Sequence, residues 1–371
     1  MKKCLIFVFL MIILFHSIGF TDSVEPAEDV RTVTAKAKVL EVVKEEKIEQ
    51  GSGMAFERQL FRAEITSSEY KGKILEVENM TTGNIAYDIK VKPGDKVILE
   101  LEISDNKLIN AYLADYQREN YIYLLVALFI VLLIVIGRIK GIKTIFTLIV
   151  TVLLIGKILL PLILRGYNPI LVAIIIATVV TAITLITISG LTKKTAAAVI
   201  GTVGGVMTAA VISFAVGKAA HLTGMSADEA QMLMFIPQNI KFNFRDLLFA
   251  GIIVGALGAV MDVAMSIASA MDEIKKVNPS VSTGNLIKSG MNMGKDIMGT
   301  MANTLILAYT GTSIPLLLLF MAYNQSYTKI INLDLIATEF VRALSGSIGL
   351  VFSIPLTALA AGLLIGLKEK S

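Results

Sequence analysis

One carboxylate, Asp262, lies inside an apolar stretch that runs from Leu247 to Met271. On a helix, Gly251, Gly255, Gly258, Asp262, Ser266 and Ser269 share a single narrow stripe. An ionised side chain inside a membrane-spanning helix costs roughly 3 kcal/mol or more, so such a group needs a partner or a function. The chemistry open to it is binding a cation or carrying a proton, with Ser266 one turn away as a neutral ligand. A second polar stripe holds Asp296, Thr300, Asn303 and Thr310, and a third holds Glu339, Arg342, Gly346, Gly349, Ser353 and Thr357. Pro355, in the third stripe's helix, removes a backbone donor and frees the carbonyl of Val351, a feature found at ion sites of transporters.

Each feature also has a plain structural reading. Asp262 can be a buried carboxylate paired with a lysine or hydroxyl. Asn303 can be an interhelical hydrogen bond, and Pro355 a simple kink. Lys295 and Asp296 fall near one end of their span, where long side chains reach the interface. Lys157 reads the same way, and His221 stands alone in a loop, a poor start for a metal site. Chemistry of other kinds is disfavoured by missing patterns: there is no GxxxxGK[ST], no HExxH, and Ser189-Gly190 lacks the leading glycine of a serine-nucleophile turn. The single cysteine, Cys4, permits neither an intrachain disulfide nor a cysteine metal site. No catalytic residue, metal or cofactor is expected.

These stripes must be held by helices in a bilayer. The chain has 371 residues, 55% apolar and only 17% charged, with mean hydropathy +0.73. That composition fits a polytopic α-helical membrane protein, and the net charge of +4 then reports topology rather than a nucleic-acid partner. Lys2 and Lys3 followed by apolar residues and Ser17-Ile18-Gly19 read as a signal peptide, or an uncleaved anchor, over 1–20. Residues 30–115 show period-two alternation, as in Val33, Ala35, Ala37 and Val39, or Val97, Leu99, Leu101 and Ile103. Five strands with turns at Gly51-Ser52-Gly53, Tyr70-Lys71-Gly72-Lys73 and Pro93-Gly94-Asp95 suit a small exported all-β domain, a barrel or sandwich with an OB-like form among the options.

A bundle over 121–367 follows. Seven spans are expected, at 121–137, 143–164, 169–189, 195–217, 247–271, 297–323 and 346–367. With the β domain outside, the inner segments carry 11 Lys or Arg residues (Arg138, Lys140, Lys143, Lys193, Lys194, Lys275, Lys276, Lys288, Lys295, Lys368, Lys370). The outer ones carry 6 (Arg165, Lys218, Lys241, Arg245, Lys329, Arg342), which puts the C-terminus in the cytoplasm. Residues 226–239 and 333–344 read as short amphipathic surface helices, and 278–294 as a cytoplasmic loop or a re-entrant segment. Glycine pairs four apart (Gly137/Gly141, Gly201/Gly205, Gly251/Gly255, Gly290/Gly294, Gly362/Gly366) read chiefly as close helix packing.

Three blocks carry a resemblance. They are Gly255-Ala256-Leu257-Gly258-Ala259-Val260-Met261-Asp262-Val263-Ala264; Lys295-Asp296-Ile297-Met298-Gly299-Thr300-Met301-Ala302-Asn303-Thr304-Leu305; and Gly346-Ser347-Ile348-Gly349 with Ile354-Pro355-Leu356-Thr357-Ala358. Together they resemble the YibE/F-like family of bacterial multi-pass membrane proteins, with Lys295 standing where arginine is expected. The charge is kept, but a bidentate fork is not. The resemblance implies a membrane location and no established activity. From the stripes themselves, the expected function is a secondary transporter or permease for a small solute or ion. Asp262 would be its carrier, Asn303, Thr300, Asp296 and Ser266 its ligand candidates, and Glu339 with Arg342 an outer gate. The alternative is a non-transporting assembly or sensory protein whose exported β domain binds a partner. The lipid bilayer and a small solute or ion are the expected partners, a homo-oligomer or partner subunit stays open, and nucleic acid is not expected.

Overall fold

The computed structural model describes residues 30–50, 54–84, 88–104, 107–236, 242–323 and 325–366. The expected signal or anchor segment lies outside them, as does the turn at Gly51-Ser52-Gly53. The chain divides into two compact units at Leu132/Leu133.

The first unit contains a five-stranded antiparallel sheet: β1 (Val30–Gln50), β2 (Met54–Ile65), β3 (Ile74–Thr81), β4 (Lys96–Ser104) and β5 (Lys107–Tyr116). The spatial order is β3-β2-β1-β4-β5. β1 is long because its first half pairs with β4 and its second half with β2, and β-bulges after Val39 and Val42 help it curl. The edge strands β3 and β5 thereby approach one another, making a partly open half-barrel. Alternation decides its interior: Ala35, Ala37, Val39, Phe61, Ala63, Ile65, Val77, Val97, Leu99 and Leu101 are buried together. The outer face carries cross-strand ion pairs, with Arg62 bridging Glu41 and Glu76 and Arg58 meeting Glu78. These neighbours hold both guanidinium groups above the usual arginine range.

The helices are α1 (Glu119–Leu154), α2 (Leu160–Leu164), α3 (Pro169–Ser189), α4 (Lys193–Ala219), α5 (Asp228–Met232), α6 (Phe244–Val277), α7 (Thr283–Thr312), α8 (Ile314–Ala322), α9 (Tyr327–Ile331) and α10 (Asp334–Gly366). Starts are fixed by side-chain caps: Asn168, Thr192, Asn243 and Ser282 each accept from the backbone N–H three residues on. The core of the second unit is α6, whose Ile253, Ala256, Val260, Ala264, Ile267 and Met271 are all buried. α4 and α10 pack against it and against one another through small residues. A Cβ on Gly205 would lie 2.7 Å from the Gly349 carbonyl, and one on Gly349 would lie 2.6 Å from the Gly205 carbonyl. Two backbones can come this close only where both residues are glycine.

Among the described residues, five helical runs are long and apolar enough to cross a membrane, or six if α7 and α8, bent by 59°, are one broken span. Seven were expected. The two expected at 121–137 and 143–164 form one 46-residue run, Glu119–Leu164, that leaves helical geometry at Arg138 (φ 48°, ψ −125°) and passes through a π turn at Ile155–Leu159. At Arg138 the chain bends so sharply that Gly141 lies against the Leu133 carbonyl, leaving no room for a side chain. Three further expectations change. The surface helix expected at 333–344 is the start of α10, continuous with the last span, because no breaker separates them. Most of the expected inner loop 278–294 is the start of α7. Of the surface helix expected at 226–239, the described part holds α5 and a following 3-10 turn, Leu233–Phe235, and residues 237–239 lie outside the described residues.

Candidate functional site

α6 buries one face and leaves the opposite one open. Val260 is fully buried against Gly205 of α4. Asp262, two residues on and about 200° around the helix, therefore points away from that packing. Gly251, Gly255, Gly258, Asp262 and Ser266 are all exposed, and nothing lies within 4 Å of a Cβ on Gly251 or Gly258. Asp262 makes no hydrogen bond or ion pair with any described residue. The lysine or hydroxyl partner considered from sequence is not found among the described residues.

α7 runs antiparallel beside α6. Gly290 lies against the Met271 side chain, Gly294 against Ile267, and the Tyr309 hydroxyl against Gly255. Carrying that register along the pair places Asp262 level with Gly299 and Thr300, and Gly258 level with Asn303. The buried side of α7 consists of Leu286, Gly290, Gly294 and Leu305. Its polar stripe is exposed throughout: Asp296, Thr300, Asn303 and Thr310. Thr300 donates to the Ile297 carbonyl at 2.9 Å, leaving its oxygen able to accept. Asn303 and Asp296 have no partner among the described residues. The first two stripes therefore lie on neighbouring helices at overlapping depth, and both are exposed.

The third stripe divides. Glu339 and Arg342 pair with one another at 3.5 Å, one turn apart on α10. Both lie within electrostatic reach of the Tyr309 hydroxyl. Gly346 packs between Ala256 and Leu305, which joins α6, α7 and α10 at this level. From Gly349 onward the stripe turns into the protein: Gly349 and Ser353 lie against Gly205, and Thr357 against Gly201, all buried. Two stripes thus lie exposed on neighbouring helices, and the third mostly packs. α10 packs there because Gly201 and Gly205 of α4 leave room for its small residues to approach closely.

Tyr309 is the member of this region that sequence patterns did not single out. An aromatic residue in an apolar span carries no polar signal of its own, and its seat on Gly255 depends on the α6–α7 register. Three buried side-chain atoms of α10 have no hydrogen-bond partner among the described residues: Thr338 Oγ1, Arg342 Nε and Thr357 Oγ1. No group of three or more His, Cys, Asp or Glu residues able to hold a metal ion occurs among the described residues. At the far end of α6, Asp246 accepts from Asn168 Nδ2 at 3.2 Å, tying α6 to α3.

The three sequence blocks thus sit on α6, α7 and α10, the helices that meet at this region. Residues 125–367 match the family model for YibE/F-like protein, and residues 32–116 match that for the YibE/F family N-terminal domain. The chain belongs to the YibE/F-like family. No curated protein and no solved structure matches it. Membership in the YibE/F-like family accords with the run of apolar helices and makes this a membrane protein; the family's function is unknown.

Proposed function

We propose that this YibE/F-like protein is a secondary transporter or permease for a small solute or ion, with Asp262 as the group that binds the coupling ion or proton. One observation carries the reading: Asp262 is an unpaired carboxylate, midway along a spanning helix, on an open face whose neighbours at the same depth are glycines, hydroxyls and Asn303. At the level of Asp262 such a face offers oxygen ligands and free volume, as a reversible cation or proton site requires. Thr300, Asn303 and Ser266 are its neutral ligands. Glu339, Arg342 and Tyr309 close one end, where Tyr309 rests on Gly255. In this reading the bend at Arg138 divides Glu119–Leu164 into two passes, α7 with α8 makes one, and seven spans place the β domain outside and the C-terminus in the cytoplasm. The reading is not an enzymatic one.

The test is transport by the purified full chain in proteoliposomes, with Asp262→Asn as the comparison. Loss of pH- or ion-gradient-driven uptake, with the variant still inserted, is expected. Equal uptake across a pH range would overturn the carrier role. A second reading, partner binding by the β domain, is favoured by a cleft of about 590 Å³ between β3 and β5, lined by Leu60, Leu75, Met80, Leu108, Ile109 and Tyr112. Removal of residues 30–115 separates the two readings: uptake that survives the deletion, with loss of the cellular phenotype, favours the partner-binding role.

A further inference from the structure

The open α6–α7 face carries charge of both signs and has no cover among the described residues. Asp262 and Asp296 are exposed on it, as are Lys288 and Lys295, and none of the four is paired with a described residue. Between them stand Gly258 and Gly299, each with nothing within 4 Å of where a Cβ would be. Acyl chains offer neither hydrogen bonds nor countercharge to such a face. A lysine near a helix end reaches the interface, but the short Asp262 side chain, midway along α6, does not.

We infer that two copies of this chain pair through the α6–α7 face, forming a two-fold dimer in which the Asp262 site is completed by the partner subunit. Copies inserted in the same orientation are related by an axis along the membrane normal, so residues at equal depth meet. Lys295 and Asp296 are chain neighbours at nearly equal depth. Lys295 of one copy then faces Asp296 of the partner subunit, and the reciprocal pair forms on the other side of the axis. The face is self-complementary in charge, as an isologous interface requires. It is also lined with small residues, which let helices in a bilayer approach closely. One level away, Asp262 faces Thr300 and Asn303 of the partner subunit across the gap left by Gly258 and Gly299. In its functional meaning the inference rests on the permease reading, but the pairing itself is tested separately.

Because Cys4 is the only cysteine, Cys4→Ser gives a cysteine-free full-length chain. Gly299→Cys and Asn292→Cys each place a thiol on the proposed interface, at positions that are exposed. Ile175→Cys places one on the exposed side of α3, in the middle of another span. Under mild oxidation in native membranes, the first two are expected to form disulfide-linked dimers and the third to stay monomeric. Lys295→Asp is expected to reduce the cross-linked fraction, and Lys295→Asp combined with Asp296→Lys to restore it. Monomers at both interface positions, or equal cross-linking at Ile175→Cys, would overturn the dimer. If neither interface variant accumulates, the mass of the wild-type chain extracted with its lipid decides, a monomer being the refuting result. Uptake that depends on Asp262 without cross-linking removes the dimer and leaves the permease. Cross-linking with full uptake by Asp262→Asn does the reverse.

Discussion

Replacing Gly205 with alanine tests whether the α4–α10 crossing holds the helical unit together. The added methyl would sit 2.7 Å from the Gly349 carbonyl oxygen and 2.8 Å from both Ser353 Cβ and Val260 Cγ1. A carbon needs about 3.5 Å or more from such atoms. One of the three neighbours is backbone and another is a Cβ, so neither can rotate away, and the helices must move apart by several tenths of an ångström. Overpacking of this kind costs typically about 1–3 kcal/mol, offset by at most about 1 kcal/mol from the better helix propensity of alanine. Gly258→Ala is the matched control, because that position is open on the same bundle. Within one copy of the chain only the propensity gain acts there, so in a detergent that keeps the chain monomeric the variant should be neutral or slightly stabilised. The assay is denaturant- or heat-induced unfolding of the purified full chain in one detergent, followed by a probe of helix content. Gly205→Ala should unfold at lower denaturant than wild type, and Gly258→Ala should not. Equal tolerance of the two substitutions would refute the packing argument and, with it, the placement of the Asp262 stripe on the opposite side of α6.

Other consequences follow from single side chains. Gln59, 4% exposed, donates to the Val91 carbonyl at 2.9 Å and accepts from the Val91 N–H at 3.0 Å; Gln59→Ala leaves two buried backbone groups unpaired, so resistance of the β unit to protease in the full chain should drop by the equivalent of about 1–3 kcal/mol. Asn168→Ala removes both the cap of α3 and the donor to buried Asp246, and should lower the midpoint of detergent unfolding, whereas Asn168→Asp, which keeps the cap but sets two acids together, should not restore it. The Arg118 guanidinium beside Asp115 holds that carboxyl below its ordinary value of 3.8. This pair therefore adds stability at pH above that value and loses it as pH falls through the lowered one; being exposed, it should contribute no more than a few tenths of a kcal/mol, read as the difference between wild type and Asp115→Asn in acid titrations.

How much of this was legible in the sequence varies with the physics behind each feature. The five strands and their inward residues followed from alternation, because a sheet with one buried face imposes a period of two on every strand. That β3 and β5 would draw together as edges of a half-barrel did not follow, since it depends on where β1 bulges. The membrane class was plain in composition, and the α6 face was plain in periodicity. The span count was only partly so: Arg138, Lys140 and Lys143 read as a loop between two spans, and the chain there is two helices that meet at a sharp kink at Arg138 with no loop between them. The surface helix expected before the last span vanished for a related reason. Charge at Glu339 and Arg342 marks an interface, but nothing between them and Gly346 stops a helix.

The fate of the glycine stripes shows why the candidate site was only half legible. Gly201 and Gly205, Gly251 and Gly255, and Gly290 and Gly294 look alike as sequence, each a pair of small residues four apart. In the fold, Gly205 is filled by the Gly349 backbone, Gly290 and Gly294 by Met271, Ile267 and Ile354, and Gly255 by the tip of Tyr309, while Gly251 is filled by nothing. Spacing reports which face of a helix is smooth; it does not report what meets that face. What separates the Asp262 stripe from the others is the charge within it. A carboxylate is expelled from an interface such as that of Gly205, where there is neither room nor countercharge, so the charged smooth face had to be the one left open. The same reasoning assigns the polar side of α7 to the outside of the packed core, since its glycines at 290 and 294 are already committed inward. A sequence rule follows for such bundles: among smooth stripes, those without an ionisable residue are the packing faces, and the one that contains it is where solute, water or a second subunit must be sought.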